Sequence, residues 1–381
     1  MKTLHSLHDI QQSALPFDLP AELEAGEPPE ARGLARDEVR LMVSYRSSDR
    51  VIHTHFRNLP DFLEAGDLLV INTSGTMNAA LHAQRSDGSA CELHLSTHQP
   101  DGTWVVEIRR PGEKGTTPLY DAQPGETLRL PGGATATLIA PYADTRAMGK
   151  RDAHRSISQV MLMSDGQEKG HSRLWLAALR LPCDWQEYLA RYGFPIRYSY
   201  VRKSWPISYY QTVYATETGS AEMPSAGRAF TPELITRLVA RGVEIAPLLL
   251  HTGVASLEEH EPPYTEYYRV PPETARLVNM THEAGKRVIA VGTTVVRALE
   301  SVTNRDGVTR SGEGWTDVVV TPQRGIRAVN AMLTGLHEPR ASHIAMLAAL
   351  CSIEHLRVTY QEALREHYLW HEFGDLHLIL P

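Results

Sequence analysis

Two different strand patterns divide this chain of 381 residues. From Leu68 to about Pro141, short segments that alternate apolar and polar residues are separated by turns rich in Gly, Pro and Asp. Strands with that spacing are typical of a compact antiparallel barrel. After Tyr209, apolar strands alternate with amphipathic helices, which favours an α/β layered domain. Because one hydrophobic core rarely serves more than about 300 residues, we expect two domains.

The α/β part can be divided into elements from its periodicity. Residues 210–215, 243–250 and 286–292 are predicted strands, and residues 231–241 and 272–284 are predicted helices. The first of these helices begins with a threonine that can cap its free amides and a proline that suits its first turn, and a glycine follows its end. The alternation predicts a sheet covered by helices.

The remaining segments are a linker and the C-terminal region. Residues 144–170 are polar and locally basic with little periodicity, which makes them the best candidate for a linker or mobile loop. The next segment, SRLWLAALRL at 172–181, has a helical pattern. Near the C-terminus we predict helices over 344–350 and 358–373 and a final strand over 375–380.

Composition and charge exclude several classes of protein. The formal net charge of −7 argues against a protein whose main task is to coat nucleic acid, although it is compatible with a local basic patch. The N-terminus lacks the apolar run of a secretory signal and no later stretch is long enough to span a bilayer, so we expect a cytoplasmic protein without a membrane partner. Cys91, Cys183 and Cys351 form no CxxC pair and the histidines show no ligand spacing, so neither a disulfide framework nor a metal site is indicated. The sequence leaves the oligomeric state open, and a monomer fits it.

The segment RVIAVGTTVVRALES, residues 287–301, is the most informative one for function. An apolar strand runs into Gly292, Thr293 and Thr294, and a helix that carries Arg297 follows. Ligands of α/β sheets bind at such strand-to-helix turns, where free amides and hydroxyls can hold an anion or a carboxylate. Glycine permits a close approach to the backbone, and threonine adds hydroxyl donors. Taken alone, the segment fits a capped helix start with a surface arginine equally well.

Four other segments contain candidate binding or acid–base groups. Small residues crowd the segment 219–234, as in a loop that presses on a flat ligand, although a tight structural turn has the same composition. His251 ends an apolar strand, where functional groups of layered sheets lie, but many such histidines are structural. His337 and Arg340 share a proline-containing loop, where an imidazole can titrate near neutrality and a guanidinium can bind a carboxylate. Glu266 lies among tyrosines and is either a buried base or a solvated charge.

Eight segments carry a resemblance to a known family. They are PFDLP (16–20), HTHFRNLPDFLEAGDLLVIN (53–72), YQTVYA (210–215), GSAEMPSAGRAFTPEL (219–234), LLLHTG (248–253), AVGTTVVRALES (290–301), GLHEPRAS (335–342) and FGDLHLIL (373–380). In this order they closely resemble the S-adenosylmethionine:tRNA ribosyltransferase-isomerase family of the queuosine pathway. The resemblance covers nearly the whole chain apart from residues 143–193, and a run of collinear motifs is far more specific than any one of them.

The resemblance implies an enzyme with S-adenosylmethionine as co-substrate and a tRNA that carries 7-aminomethyl-7-deazaguanine as acceptor. Such an enzyme transfers the ribosyl part to the aminomethyl group, isomerises the sugar to give epoxyqueuosine, and releases adenine and methionine. The implied fold is a larger α/β layered domain with an inserted smaller antiparallel β-barrel. We accordingly assign residues 1–75 and 171–381 to the larger domain, 76–143 to the barrel and 144–170 to the linker.

This reaction needs a base, a proton donor for adenine and a clamp for the methionine carboxylate. A sulfonium acidifies the neighbouring 5′ carbon, so a base can remove a proton there and start the elimination of adenine. The amine then attacks, and closure to the epoxide expels methionine. We assign His251 and Glu266 as base candidates and His337 as an acid or base. The residues assigned to the co-substrate are Thr293, Thr294, Arg297 and Arg340 for the carboxylate, Tyr214 and Phe230 for adenine, and Ser225, Ala226, Gly227 and Gly292 for close packing.

The chain also departs from the family pattern. Residues 72–75, Asn-Thr-Ser-Gly, stand where the family has Asn-Asp-Thr-Arg, and residues 262–264 replace a His-Met-His segment. Two alternatives therefore stay open. One is a paralogue that cleaves S-adenosylmethionine or transfers its ribosyl part to a small molecule, and the other is a non-catalytic nucleotide-binding or RNA-binding protein. Residues 197–205 (RYSYVRKSW) interleave basic and aromatic side chains, as an RNA-contacting surface or a solvated strand edge does.

Overall fold

The computed structural model of this protein describes residues 15, 17–112, 115–142, 172–254, 264–339 and 341–381. The chain divides into two compact units. The larger comprises Met1–Gly75, Tyr209–Thr218 and Met223–Pro381, and the smaller comprises Thr76–Ser208 and Gly219–Glu222. The predicted linker at 144–170 lies outside the described residues.

The strands are β1 (Arg40–Tyr45), β2 (Arg50–His55), β3 (Leu68–Asn72), β4 (Ser74–Thr76), β5 (Ala80–Gln84), β6 (Ala90–His98), β7 (Trp104–Gly112), β8 (Gly115–Pro118), β9 (Thr127–Arg129), β10 (Thr135–Pro141), β11 (Leu174–Arg180), β12 (Glu217–Ser220), β13 (Glu244–Leu250), β14 (Glu266–Val270), β15 (Val288–Val291), β16 (Gly312–Thr316), β17 (Ala331–Gly335) and β18 (Leu376–Leu380). The α-helices are α1 (Trp185–Tyr192), α2 (Pro232–Ala240), α3 (Pro272–Glu283), α4 (Thr293–Val302), α5 (Ser342–Cys351) and α6 (Ile353–Arg365).

The larger unit is built on a nine-stranded mixed sheet with the order β16-β14-β13-β3-β15-β17-β18-β1-β2. Its four central strands, β13, β3, β15 and β17, run parallel to one another. Successive side chains of a strand point to opposite faces, and both faces of β3 are buried. Leu68 and Val70 belong to one apolar cluster, whereas Leu69 and Ile71 belong to another. The first cluster includes residues of α3 to α6 and the second includes residues of α2, so helices cover both faces of the sheet.

The smaller unit contains an antiparallel barrel. Its strands follow the order β11-β10-β9-β5-β6-β7-β8, and β11 also pairs with β7. That additional pairing closes a ring of six strands, with β8 attached to β7. Closure satisfies the edge strands that an open sheet would leave unpaired. The predicted fold class, a larger α/β layered domain with an inserted smaller antiparallel β-barrel, is confirmed.

The segment 172–181 corrects both an element and a domain boundary. Its leucines and alanines suggested a helix, but Leu174–Arg180 is strand β11, which pairs with β10 and β7. Cross-strand pairing outweighs a weak helix propensity in so short an apolar run. Because β11 closes the barrel, residues up to Ser208 belong to the smaller unit, and the chain returns to the larger unit at Tyr209 rather than at 171.

Other element predictions were accurate to different degrees. Helix α2 was predicted with its cap, and the Thr231 hydroxyl accepts a hydrogen bond from the Leu234 amide at 3.1 Å. Residues 210–215 are a turn and not the predicted strand, because the Ala215 amide donates back to the Thr212 carbonyl. Helix α6 ends at Arg365 and not at residue 373, because His367 adopts a left-handed φ of 54°. No helix in the described part of the chain is long and apolar enough to cross a membrane.

Candidate active site

The four parallel strands of the larger unit end at one edge of the sheet, which we call the carboxyl edge. Asn72 ends β3, His251 follows β13, Gly292 follows β15, and Gly335 ends β17 two residues before His337. Ligands of open α/β sheets bind outside the carboxyl ends of the strands. The topology therefore brings together His251, the Gly292 turn and His337, which are far apart in the sequence.

Asn72 joins three of these strand ends. Its Nδ2 donates to the Leu250 carbonyl at 2.8 Å and to the Thr294 hydroxyl at 3.3 Å. Its Oδ1 accepts from the Leu250 amide at 3.0 Å and from the Ser74 amide at 3.1 Å. One buried amide side chain thus fixes the relative positions of β3, β13 and the first turn of α4.

His251 lies between a hydroxyl and a carboxylate. The Ser74 hydroxyl is 2.7 Å from its Nδ1, and Oε1 of Glu217 is 3.8 Å from its Nε2. The other carboxylate oxygen of Glu217 accepts from Arg269 at 2.7 Å. Burial lowers the pKa of His251, the Glu217 charge raises it, and the Arg269 charge lowers it further. The imidazole is therefore neutral at neutral pH and able to accept a proton.

The Gly292 turn packs against the small-residue loop. A Cβ on Gly292 would lie 3.5 Å from the Cβ of Ala226, and Gly292 has a φ of 92° that favours glycine. Gly292 provides no side-chain cap to α4, so the first amides of that helix are not satisfied by it. Thr293 and Thr294 are half-buried beside these amides. The combination resembles the backbone sites that hold anions at helix N-termini.

Gly227, in the short 3-10 turn Ser225–Gly227, leaves room for a neighbouring tyrosine. A Cβ at this position would collide with the Tyr214 hydroxyl and lie 3.2 Å from Cγ2 of Thr212. The Thr212 hydroxyl is buried and has no hydrogen-bond partner among the described residues. A buried donor without a partner is costly, and a ligand that supplies an acceptor removes that cost.

The two aromatic residues assigned to adenine differ in burial. The ring of Phe230 meets Phe56 edge-on at 5.0 Å and is only 1% exposed, which places it in the core of the unit. Tyr214 is half-buried and meets Phe230 edge-on at 5.8 Å. Phe230 therefore supports Tyr214 from behind, and of the two rings Tyr214 is the one with surface left to offer a ligand.

Glu266 and Arg297 form an ion pair with each other. Glu266 is paired to Arg297 through Oε2 and accepts from the Gly253 amide at 2.9 Å through Oε1. The guanidinium also donates to the carbonyls of Tyr264 at 3.1 Å and Val318 at 3.2 Å. Because each charge already neutralises the other, neither is available in this arrangement as a free base or as an open carboxylate clamp. The assignments of Glu266 as a base candidate and of Arg297 to the carboxylate stay predictions.

His337 belongs to a group of histidines at the end of β17. Its Nε2 is 2.8 Å from the Thr334 hydroxyl, and its ring stacks on His343 at 4.5 Å with an interplanar angle of 7°. Burial lowers the pKa of His337 well below its ordinary value, and the neighbouring histidines lower it further. Burial and then the Arg297 charge lower the pKa of His343 to about 4. Arg340, the last of the predicted residues, lies outside the described part of the chain.

Sequence reasoning missed three groups of this site: Asn72, Ser74 and Glu217. The signal for Asn72 and Ser74 was present, since both follow an apolar strand, but they were noted only as departures from a family pattern. Ser74 keeps a hydroxyl where that pattern has threonine. Glu217 had no local signal, because only the tertiary structure brings it beside His251.

Comparisons with known proteins identify the family of this chain. A model of the family described as "Queuosine biosynthesis protein" matches residues 12–379. Three relatives bear the name S-adenosylmethionine:tRNA ribosyltransferase-isomerase. The one from Symbiobacterium thermophilum is 36% identical over 97% of this chain and 100% of its own length. The one from Thermus thermophilus is 35% identical over 96% and 99%, and the one from Thermotoga maritima is 33% identical over 97% and 100%.

A solved structure from Thermotoga maritima, described as S-adenosylmethionine tRNA ribosyltransferase, is 28% identical and aligns with a TM-score of 0.49 over 96% of this chain and 99% of that one. The family model alone covers nearly the whole sequence, and the relatives match it end to end. This chain belongs to the queuosine biosynthesis protein family.

Proposed function

We propose that this protein transfers and isomerises the ribosyl moiety of S-adenosylmethionine onto the aminomethyl group of 7-aminomethyl-7-deazaguanine in tRNA. The products are epoxyqueuosine in tRNA, adenine and methionine. The observation that carries the proposal is the end-to-end similarity to relatives named for this activity. The carboxyl edge of the larger unit supports it, because among the described residues that edge combines a neutral imidazole with a helix N-terminus that has no side-chain cap.

For the co-substrate, we assign the first turn of α4 to the methionine carboxylate. Thr293 and Thr294 add hydroxyl donors to the free amides there, and an anion is stabilised at a helix N-terminus. The Ser225–Gly227 turn packs close to Gly292, and Tyr214 and Thr212 adjoin Gly227. We assign these two residues to adenine, with the Tyr214 ring for stacking and the Thr212 hydroxyl for a hydrogen bond.

For acid–base chemistry, we assign His251 as the base that removes the 5′ proton. Its imidazole is neutral, so it can take up a proton, and the Glu217 carboxylate stabilises the imidazolium that forms. Ser74 holds Nδ1 through its hydroxyl and fixes the ring in place. His337 is assigned as the second acid–base group, and because burial lowers its pKa well below the ordinary value, we assign it to accept the proton that the attacking amine loses.

The Glu266–Arg297 pair is assigned a positioning role. Glu266 accepts a hydrogen bond from the amide of Gly253, two residues after His251, and Arg297 is bound to three backbone carbonyls of neighbouring segments. The pair therefore holds the loop that carries the base. Arg297 acts on the carboxylate only indirectly, through the segment it fixes.

A tRNA acceptor fits a basic and aromatic segment of the smaller unit. Residues 194–208 contain Arg197, Arg202 and Lys203 and no acidic residue, in a chain whose net charge is −7. The rings of Tyr198 and Tyr200 stack at 5.9 Å, and Arg202 and Lys203 are exposed. Basic side chains that alternate with aromatic rings can pair phosphate contacts with base stacking. A cytoplasmic location of the protein stays a prediction.

The test is adenine release from S-adenosylmethionine by the purified protein. Three reactions are compared: no tRNA, a tRNA with unmodified guanine at the target position, and the same tRNA with 7-aminomethyl-7-deazaguanine. We expect adenine and methionine only in the third, with epoxyqueuosine in the recovered tRNA. Release without tRNA would assign the chain to the alternative, a paralogue that cleaves the co-substrate or uses a small-molecule acceptor. Binding without release in all three reactions would overturn the enzymatic proposal.

A further inference from the structure

A chain of four polar side chains crosses the large sheet and is not used by the chemistry assigned above. Oδ1 of Asp49 is 2.7 Å from Nδ1 of His355, and Nε2 of His355 is 2.9 Å from the Ser44 hydroxyl. The same hydroxyl is 2.7 Å from Nε2 of His377. Ser44, His355 and His377 are each at most 2% exposed, whereas the Asp49 carboxylate is 57% exposed. We call this set the Asp49–His377 chain.

The two ends of this chain lie at opposite edges of the sheet. Asp49 lies in the turn between β1 and β2, and β1 is antiparallel in direction to the four central strands, because it is parallel to β18 and β18 is antiparallel to β17. His377 is the cross-strand partner of Thr334, whose hydroxyl is 2.8 Å from Nε2 of His337. Directly opposite residues of an antiparallel pair have Cβ atoms about 4.5–5.5 Å apart. The inner end of the chain therefore lies beside Thr334, the hydrogen-bond partner of His337, at the carboxyl edge, and the outer end reaches solvent at the other edge.

When both imidazoles are neutral, there is only one way to orient the hydrogen-bond donors and acceptors in the chain. The Asp49 carboxylate accepts, so Nδ1 of His355 carries its proton and Nε2 of His355 accepts from the Ser44 hydroxyl. Ser44 then accepts from Nε2 of His377, which leaves a lone pair on Nδ1 of His377. That atom is buried and has no hydrogen-bond partner among the described residues. Burial also lowers the pKa of His377 to about 3, which agrees with a neutral ring.

We propose that the Asp49–His377 chain is a proton relay that carries a proton from the His337 end of the active site to solvent. A proton that arrives at Nδ1 of His377 releases the one on Nε2 to Ser44. Ser44 passes its own proton to Nε2 of His355, and His355 passes its Nδ1 proton to the Asp49 carboxylate, which loses it to water. Each of the three buried residues gains one proton as it gives up another, so all three stay neutral. Both imidazole rings and the Ser44 hydroxyl then reorient to restore the starting tautomers before the next proton passes.

The relay rests on the proposed function, because that reaction must export a proton. A sulfonium cation and a neutral amine become adenine, zwitterionic methionine and a neutral substituted amine. Charge balance therefore requires one proton to leave per turnover. A buried path that ends on an exposed carboxylate serves this need without admitting water to the active site.

The experiment measures kcat for adenine release with the modified tRNA in three variants of the full chain. Asp49→Asn keeps an acceptor for His355 but cannot take up the proton, and Ser44→Ala interrupts the chain in its middle. Asp49→Gly opens His355 to solvent at a position whose φ of 54° suits glycine. A directly acting acid–base group contributes about 10²–10⁴-fold, and we expect each relay variant to lose roughly tenfold in kcat with little change in KM. Added imidazole should restore Asp49→Gly and leave Ser44→Ala slow.

A matched control is His53→Gln, which removes another histidine whose ring bonds a surface carboxylate, that of Glu362 at 3.0 Å. It should keep the wild-type rate. Nitrogen-15 NMR of the histidine rings gives a readout that does not need turnover, with Nδ1 of His377 unprotonated and Nδ1 of His355 protonated at neutral pH. Wild-type values of kcat in Asp49→Asn and Ser44→Ala would overturn the relay alone. So would losses of kcat that added imidazole does not restore in Asp49→Gly and that parallel losses of thermal stability. A wild-type protein that releases no adenine would overturn both proposals.

Discussion

Two polar pairs at the carboxyl edge of the same sheet differ in how fully their charges and hydrogen-bonding groups are satisfied by partners. In the Ser74–His251 pair the Ser74 hydroxyl lies 2.7 Å from Nδ1 of a neutral imidazole, whose second nitrogen faces a carboxylate 3.8 Å away. In the Glu266–Arg297 pair two buried charges neutralise each other, and backbone groups take up the remaining donors and acceptors. The charged residues that are most prominent in the sequence are thus the ones already satisfied. Availability for chemistry depends on the partners of a group and not on its formal charge.

The largest effect should come from the Ser74–His251 pair. If His251 is the base, His251→Gln should lower kcat for adenine release by about 10²–10⁴-fold, because glutamine cannot accept the 5′ proton. Its stability in urea unfolding should change little. The control is His282→Gln, which removes a half-buried histidine on α3 that bonds the Ala328 carbonyl. Equal rates in the two variants would remove His251 from the mechanism.

Substitutions in the Glu266–Arg297 pair should change the stability of the protein more than its catalytic activity. Glu266→Gln leaves a buried guanidinium without its counter-charge, which should lower the free energy of unfolding by about 3–5 kcal/mol. Adding Arg297→Met removes the unpaired charge and should recover most of that loss. Urea unfolding of the single and double variants measures both values. A large loss of kcat in Glu266→Gln with unchanged stability would instead make Glu266 the base and reverse the comparison of the two pairs.

A smaller effect is expected at Thr212, beside Gly227. Thr212→Val removes a buried hydroxyl that has no partner among the described residues, so the free protein should gain about 1 kcal/mol in stability. If that hydroxyl bonds the co-substrate, the same variant should bind S-adenosylmethionine roughly tenfold more weakly in calorimetry. Thr236→Val, an exposed position on α2, is the control. A variant that gains stability and binds normally would exclude Thr212 from the site.

The smallest effect concerns the pH profile. His251 must be neutral to accept a proton, so kcat/KM should rise with pH through its pKa, which burial places below the ordinary histidine value. The rate should therefore be level around neutral pH. Glu217 raises that pKa, so Glu217→Gln should move the acidic limb to lower pH. A limb that stays in place would mean that the titrating group is not His251.

Much of the fold followed from periodicity and capping. Helix α2 could be placed because a threonine, a proline and a glycine mark its ends, and the barrel could be recognised from its short alternating strands. The failures share a cause. Residues 172–181 and 210–215 have local patterns compatible with more than one structure, and tertiary pairing chose between them. The candidate site was predicted to the same extent: the sequence identified residues at the strand ends, but not the tertiary contacts that those residues make.

The sequence by itself determined the family, the division into a barrel and an α/β layered domain, and the turn at Gly292, because collinear motifs and local periodicity are properties of the chain alone. Only the tertiary structure decided which groups are free. It brought Glu217 to His251, and it brought Asp49 to His355 across a separation of 306 positions in the sequence. It also paired Glu266 with Arg297. Desolvation and hydrogen-bond closure depend on what surrounds a side chain in space, and those surroundings are absent from the order of residues.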